Sequence, residues 1–143
     1  MSAAEVISDK VMASIHAGIG DSKVSFVHPA EVSHFLRSIW DEDYKYGNLI
    51  FAGEPEWLIG FSKEFIKSVK GMDKKLQGRV MEAIMHVSEK PITIVGDTVK
   101  PLEGNSKSIW RYRIGDSRLF YLPNTDEKTV KLLSFVSRGE AYK

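Results

Sequence analysis

Arg111, Arg113, Arg118 and Arg138 lie close together near the end of the chain, with Trp110, Tyr112, Phe120 and Tyr121 beside them and Tyr142 after them. Guanidinium groups fork onto phosphate oxygens and stay charged at any working pH, while aromatic faces stack on bases. Arginines and aromatics in one stretch therefore suit a single-stranded polyanion carrying bases. A plainer role, arginines that merely solvate one face of a sheet, fits the same residues. The spacing Arg111-x-Arg113 places both side chains on one face of a strand, with Trp110, Tyr112 and Ile114 on the other. Gly115-Asp116 then marks a hairpin turn, because glycine adopts positive φ cheaply. Alternation on the next strand separates Arg118, Phe120 and Leu122 from Leu119 and Tyr121, and the sequence leaves open which set joins Arg111 and Arg113.

These residues need a scaffold, and the preceding chain supplies the signals for one. Trp57 to Phe61 reads as a buried strand. Ser62 is placed to cap a helix carrying Phe65, Ile66, Val69 and Met72, and Gly71 ends it. Asp73 caps a second helix with Leu76, Val80, Ile84 and Val87 on one side, so the two helices form an antiparallel hairpin that Pro91 closes. Ile92 to Ser108 is looser and contains the turn Lys100-Pro101-Leu102-Glu103-Gly104. Three strands follow, near Ile109 to Ile114, Arg118 to Leu122 and Val130 to Val136. The order expected from Trp57 onward is β-α-α-β-β-β.

Upstream, Ile7, Val11 and Ile15 recur every four residues before Gly18 and Gly20, predicting a short amphipathic helix. Lys23 to Val27 is a short β-prone run. Pro29 opens a segment in which Val32, Phe35, Leu36, Ile39 and Trp40 make a wide apolar helical stripe that must pack on something. Asp41-Glu42-Asp43 ends it, and a further strand is expected at Leu49 to Ala52.

A chain of 143 residues with 43% hydrophobic and 27% charged residues is that of a globular protein with one core. No apolar run approaches the length of a membrane span, and the N-terminal residues, with Glu5 and Asp9, do not read as a secretory signal. The absence of cysteine excludes disulfides and a thiol nucleophile and favours a cytoplasmic address. Net charge of +1 conceals a division. Residues 1–56 hold four Lys/Arg against nine Asp/Glu, a balance of −5, and residues 57–143 hold sixteen against ten, a balance of +6. A basic part suits a polyanionic partner, and an acidic part on the same chain could compete for that surface. No metal or cofactor is expected, since the four histidines, His16, His28, His34 and His86, show no ligand spacing and no glycine-rich phosphate loop is present.

From Trp57 to Tyr142 the chain resembles the RelE/ParE superfamily of bacterial type II toxins. The resemblance rests on the helix hairpin around Met72-Asp73-Lys74-Lys75-Leu76, the Lys100–Gly104 turn, the run from Trp110 to Asp116 into Arg118-Leu119-Phe120-Tyr121, and the terminal Arg138 to Tyr142. It implies an α+β fold, an antiparallel sheet packed on the helix hairpin, with residues 57–143 as the toxin domain and residues 1–56 as an N-terminal α/β extension packing on it. For a RelE-like member it further implies a metal-independent, ribosome-dependent mRNA endonuclease that inhibits translation. In such enzymes the RNA 2′-hydroxyl attacks the adjacent phosphate, leaving 2′,3′-cyclic phosphate and 5′-hydroxyl ends. The positions carried over are Arg113, Arg118, Arg138 and Tyr142 as catalytic residues, with Arg111, Lys100 and Trp110 as RNA-binding residues. Arg118 would clamp the phosphate, Arg138 would neutralise it or protonate the leaving oxygen, and Tyr142 would stack on or orient a base.

Relatives often have lysine where this chain has Arg111 and Arg113, and arginine is a poor proton acceptor, so the general base is unassigned. Glu103, in a turn from which some relatives supply a carboxylate, is the candidate base; an exposed turn carboxylate is the alternative. The same superfamily contains gyrase-directed inhibitors, and a catalytically silent binding domain of this fold remains a third reading. Implied partners are a cognate antitoxin protein, mRNA and the ribosome. Because antitoxins of this superfamily commonly wrap the toxin with a helix, the segment from Pro29 to Tyr46 is a candidate internal cover for the basic sheet face, extra core packing being the alternative.

Overall fold

The computed structural model describes residues 8–41, 43, 57–102 and 108–137. The strand expected at Leu49 to Ala52, and with it Glu103, Arg138 and Tyr142, lies outside these residues. Among the described residues, four α-helices, α1 (Asp9–Gly20), α2 (Val32–Trp40), α3 (Lys63–Val69) and α4 (Lys74–Glu89), accompany six strands. The strands are β1 (Phe26–Val27), β2 (Leu58–Phe61), β3 (Val99–Pro101), β4 (Trp110–Ile114), β5 (Ser117–Asn124) and β6 (Thr129–Val136). They form one sheet in the order β1-β2-β6-β5-β4-β3, antiparallel throughout except for the parallel pair β2 and β6. The fold is α+β, and from β2 onward it runs β-α-α-β-β-β-β.

The extra strand is β3. From sequence, Lys100 to Gly104 reads as a turn because proline cannot donate to a sheet ladder, yet Val99, Lys100 and Pro101 pair with Tyr112, Arg111 and Trp110. Proline is tolerated there because β3 is the outermost strand.

The helix signals hold at atomic level. Ser62 Oγ accepts from the Phe65 amide at 3.0 Å and donates to the Leu133 carbonyl at 2.8 Å, so one hydroxyl starts α3 and anchors it to β6. Asp73 Oδ1 accepts from the Leu76 amide at 2.9 Å at the start of α4. Between the two helices Gly71 takes φ +88, a left-handed conformation that favours glycine.

Two clusters of buried side chains cover the two faces of the sheet. On one face Phe65, Val69, Val80, Ile84 and Val87 of α3 and α4, with Leu36 of α2, pack on Ile59, Leu119, Tyr121, Leu132 and Phe135. Phe35 stacks on Phe61, ring centroids 4.4 Å apart, and Trp40 Nε1 donates to the Val69 carbonyl at 2.8 Å. On the other face Val11 and Ile15 of α1 pack on Ile109, Phe120, Leu133 and Val136. A register shift between Phe120 and Tyr121 makes this second cluster possible. Phe120 pairs with Ser134 and Tyr121 with Leu132, so Leu133 is an additional residue on β6, and both Leu133 and Ser134 serve the α1 side. Ser134 Oγ lies 2.7 Å from Ser14 Oγ, and a Cβ on Gly18 would stand 2.6 Å from the Leu133 carbonyl oxygen. Glycine at 18 is thus what lets α1 lie directly on the sheet.

Candidate nucleic-acid interface

Strand register assembles the basic residues. Arg113 stands opposite Arg118, and Lys100 stands opposite Arg111, so the four cations form two like-charged cross-strand pairs over β3, β4 and β5. Directly opposed like charges oppose sheet formation. Arg111 also pairs with Phe120, which fixes the face: the cations lie on the same side of the sheet as the α1 cluster.

Asp97, in the turn before β3, draws three of these cations together. Its carboxylate is 2.9 Å from Lys100 Nζ, 2.9 Å from Arg113 Nη1 and 3.6 Å from Arg111 Nη2. Arg111 Nη2 additionally donates to the Asp97 carbonyl. The turn that presents Asp97 is closely bonded: Gly96 sits at φ +48, the Thr98 amide donates to the Val95 carbonyl at 2.9 Å, and the Arg113 amide donates to the Thr98 carbonyl at 2.7 Å. The hydrogen bond from Lys100, with the charge of Arg111 next, holds the Asp97 carboxyl down at about 2. Asp97 is therefore ionised at any working pH, and it is a poor proton acceptor.

Arg118 is held differently. It is almost buried, and its Nη1 donates to the carbonyls of Gly115 at 3.1 Å and Ser117 at 3.0 Å. Arg113 Nε reaches the same Gly115 carbonyl at 3.4 Å. Gly115 itself is left-handed at φ +58, and the space where a Cβ would stand is bounded 3.0 Å away by Arg79 Nη1 of α4, so a further cation attends the hairpin tip.

Trp110, expected among the RNA-binding side chains, belongs elsewhere. It pairs with Tyr121, and the two rings stack with centroids 6.4 Å apart on the helix-packed face. The alternation that puts Arg111 on one face commits Trp110 to the other, so it shares no surface with the cations. Tyr121 is buried there with its hydroxyl donating to the Pro91 carbonyl at 2.7 Å, and burial pushes its ionisation well above the usual phenol range.

The expectation for Pro29 to Tyr46 as a cover of the basic face is also corrected. The described part of that segment contains α2, which packs on α3 and α4 on the opposite face. The helix on the cation-bearing face is α1. Lys131 Nζ donates to the carbonyls of Ile19 at 2.8 Å and Asp21 at 2.6 Å, holding the C-terminal end of α1. Asp21 Oδ2 accepts from the Lys63 amide at 2.9 Å, joining that end to the start of α3.

Asp97 and Arg79 were not among the sequence candidates. A Gly-Asp turn three residues before Lys100 is the one local signal for Asp97, while an exposed helical arginine such as Arg79 carries none. A cleft of about 690 Å³ opens between α1 and α3, lined among others by Lys10, Ser14, Glu64, Met72 and Phe135, but none of Lys100, Arg111, Arg113 or Arg118 lines it.

No protein-family model and no curated protein sequence matches the chain. Among solved structures, the archaeal RelE-RelB complex from Pyrococcus horikoshii is similar at 26% identity and a TM-score of 0.52, over 60% of this chain and 99% of the matched one. The toxin-antitoxin complex RelBE2 from Mycobacterium tuberculosis is 21% identical, with a TM-score of 0.48 over 56% of this chain and 95% of that one. A metal-bound toxin from Helicobacter pylori is 27% identical, with a TM-score of 0.41 over 57% and 94%. Hence the strand-and-helix frame that gathers the cations is that of the RelE toxins, and the chain is RelE-like in fold.

Proposed function

We propose that this protein is the toxin of a toxin-antitoxin pair and acts in the cytoplasm as a metal-independent, ribosome-dependent mRNA endonuclease. The observation that carries this reading is the register of β3, β4 and β5, which opposes Arg113 to Arg118 and Lys100 to Arg111 on one face. A fold gains nothing in stability from two adjacent like-charged pairs, whereas a phosphodiester between them gains a preorganised cationic surface. Lys100 holds the RNA backbone, while Arg111, expected beside it as an RNA-binding residue, is buried and stays bonded to the Asp97 carbonyl. Arg113 and Arg118 carry the charge that builds on the phosphate as the 2′-hydroxyl attacks, with Arg138 and Tyr142 completing the site and Glu103 as base. RelE-RelB likeness supports a cognate antitoxin protein as partner.

Cleavage of message in a translation extract tests this, with the new ends analysed for 2′,3′-cyclic phosphate and 5′-hydroxyl groups. Arg138→Ala abolishes cutting, whereas an intact message with wild-type protein sinks the reading. The burial of Arg118 and its bonds to the Gly115 and Ser117 carbonyls favour a second reading, a binding-only domain in which that arginine fixes the hairpin. On that reading Arg118→Ala lowers the melting temperature and there is no cleavage to lose. A gyrase-directed inhibitor would instead block supercoiling, with or without Arg138.

A further inference from the structure

The carboxylate of Asp97 stands where a ligand anion would be expected. Lys100 and Arg113 each reach it at 2.9 Å, and their other settings are weak: Arg113 has a long bond to Gly115 and faces a like charge across the sheet. Arg111 differs, because its guanidinium is also bonded to the Asp97 backbone carbonyl, a contact that survives loss of the carboxylate. Side-chain exposure of 61% at Asp97 and 47% at Arg113 leaves the contact open to solvent. Exposed ion pairs are individually weak and screened by salt, so an anion offering two oxygens to both cations can replace a single side-chain carboxylate.

Resting on the RNA-binding reading above, we propose that Lys100 and Arg113 form a phosphodiester seat that Asp97 occupies in the free protein, and that a backbone phosphate of single-stranded RNA displaces it. Asp97 thereby keeps the two opposed cationic pairs compatible with the fold until nucleic acid arrives, and it sets a threshold on binding. Arg111 remains fixed throughout as the contact that orients β3 against β4.

The test is binding of the full chain to a 2′-O-methyl oligoribonucleotide, whose blocked 2′-oxygen cannot act as nucleophile, so that affinity is read without cleavage. Asp97→Asn keeps the size of the side chain and the backbone carbonyl that Arg111 uses. Affinity is expected to rise about tenfold at low salt, because the phosphate no longer has to displace a carboxylate, and the gain to shrink as salt screens the charge removed. Adding Arg113→Ala to Asp97→Asn removes the gain. If Asp97 instead positions the arginines for RNA, Asp97→Asn weakens binding and the proposal fails. It fails equally if affinity is unchanged, or if neither protein binds the oligonucleotide. Tighter binding by Asp97→Asn in a protein that cuts no message would keep the seat and discard the nuclease. Message cutting with no gain from Asp97→Asn would do the reverse.

Discussion

One face of the sheet carries two neighbouring regions built on opposite principles. Under α1, Ile109, Phe120, Leu133 and Val136 meet Val11 and Ile15 in a buried apolar cluster, with Gly18 against the sheet backbone. Beside it on the same strands, Lys100, Arg111, Arg113 and Arg118 form like-charged cross-strand pairs, the first three of them around Asp97. Arg111 is the direct cross-strand partner of Phe120 and Arg118 of Val136, so the boundary between the regions runs through these two residue pairs. The apolar region gains stability from burial. The charged region concentrates like charges in opposed pairs, which works against pairing of these strands.

Truncation under α1 should therefore have the largest effect on folding. Ile15 is fully buried, and Ile15→Ala is expected to cost about 2–5 kcal/mol in urea unfolding, because it removes transfer energy and leaves a cavity that the sheet cannot fill. A loss below about 1 kcal/mol would mean that α1 is an ornament on this face and the contrast between the regions is false. Gly18→Ala probes the same contact from the opposite direction. Its Cβ meets the backbone of Leu133, which cannot rotate away, and a loss of about 1–3 kcal/mol is expected.

Substitution in the charged region should reverse the pattern. Arg113 is half exposed and opposed to Arg118, so Arg113→Ala is expected to leave unfolding free energy within about 0.5 kcal/mol of wild type. Its effect belongs in binding: weaker association with single-stranded RNA and a salt slope shallower by about 0.7. A stability loss comparable to that of Ile15→Ala would show that the cations are structural and erase the distinction.

How much of this was legible in the sequence follows from the range of the interactions. The caps at Ser62 and Asp73 are contacts over three residues, and the alternation of Arg111 and Arg113 is a property of one strand, so both were readable. An apolar stripe announces that a helix packs but not on which side of a sheet. That is why the wide stripe of α2 fits both a cover for the cations and extra core packing, and why the structure alone shows α2 in the core and α1 on the cation-bearing face. The extra residue at Leu133 leaves no mark in local pattern because Leu132, Leu133 and Phe135 are all strand formers. Asp97 was missed for a related reason. A lone carboxylate in a turn resembles any solvated charge until β3 and β4 pair and bring Arg111 and Arg113 to it.

The smallest effect, and the one that addresses both regions at once, lies in acid. Among the described residues, each region holds one carboxylate with a depressed ionisation. Backbone hydrogen bonds from Lys63 and then Lys23 lower Asp21 at the end of α1, and the bond from Lys100 with the charge of Arg111 lowers Asp97 to about 2. A carboxylate lowered in the folded state contributes stability that is complete above its unfolded value, near 3.8, and that disappears as pH falls through the folded value. Stability should thus be flat in these two groups at neutral pH and decline as pH falls below about 4, for Asp97 down to about pH 2. Asp21→Asn and Asp97→Asn should each flatten part of that decline in chemical unfolding measured across the window. Both groups are exposed to water, so each change is small. The regions separate in a second readout: Asp21→Asn leaves affinity for the 2′-O-methyl oligonucleotide at pH 7 unchanged, since its bonds are to the backbone that joins α1 to α3, whereas Asp97→Asn changes it. Equal effects on binding from both would mean that charge acts over the whole face without local seats, and that the boundary at Arg111 and Phe120 divides packing but not electrostatics.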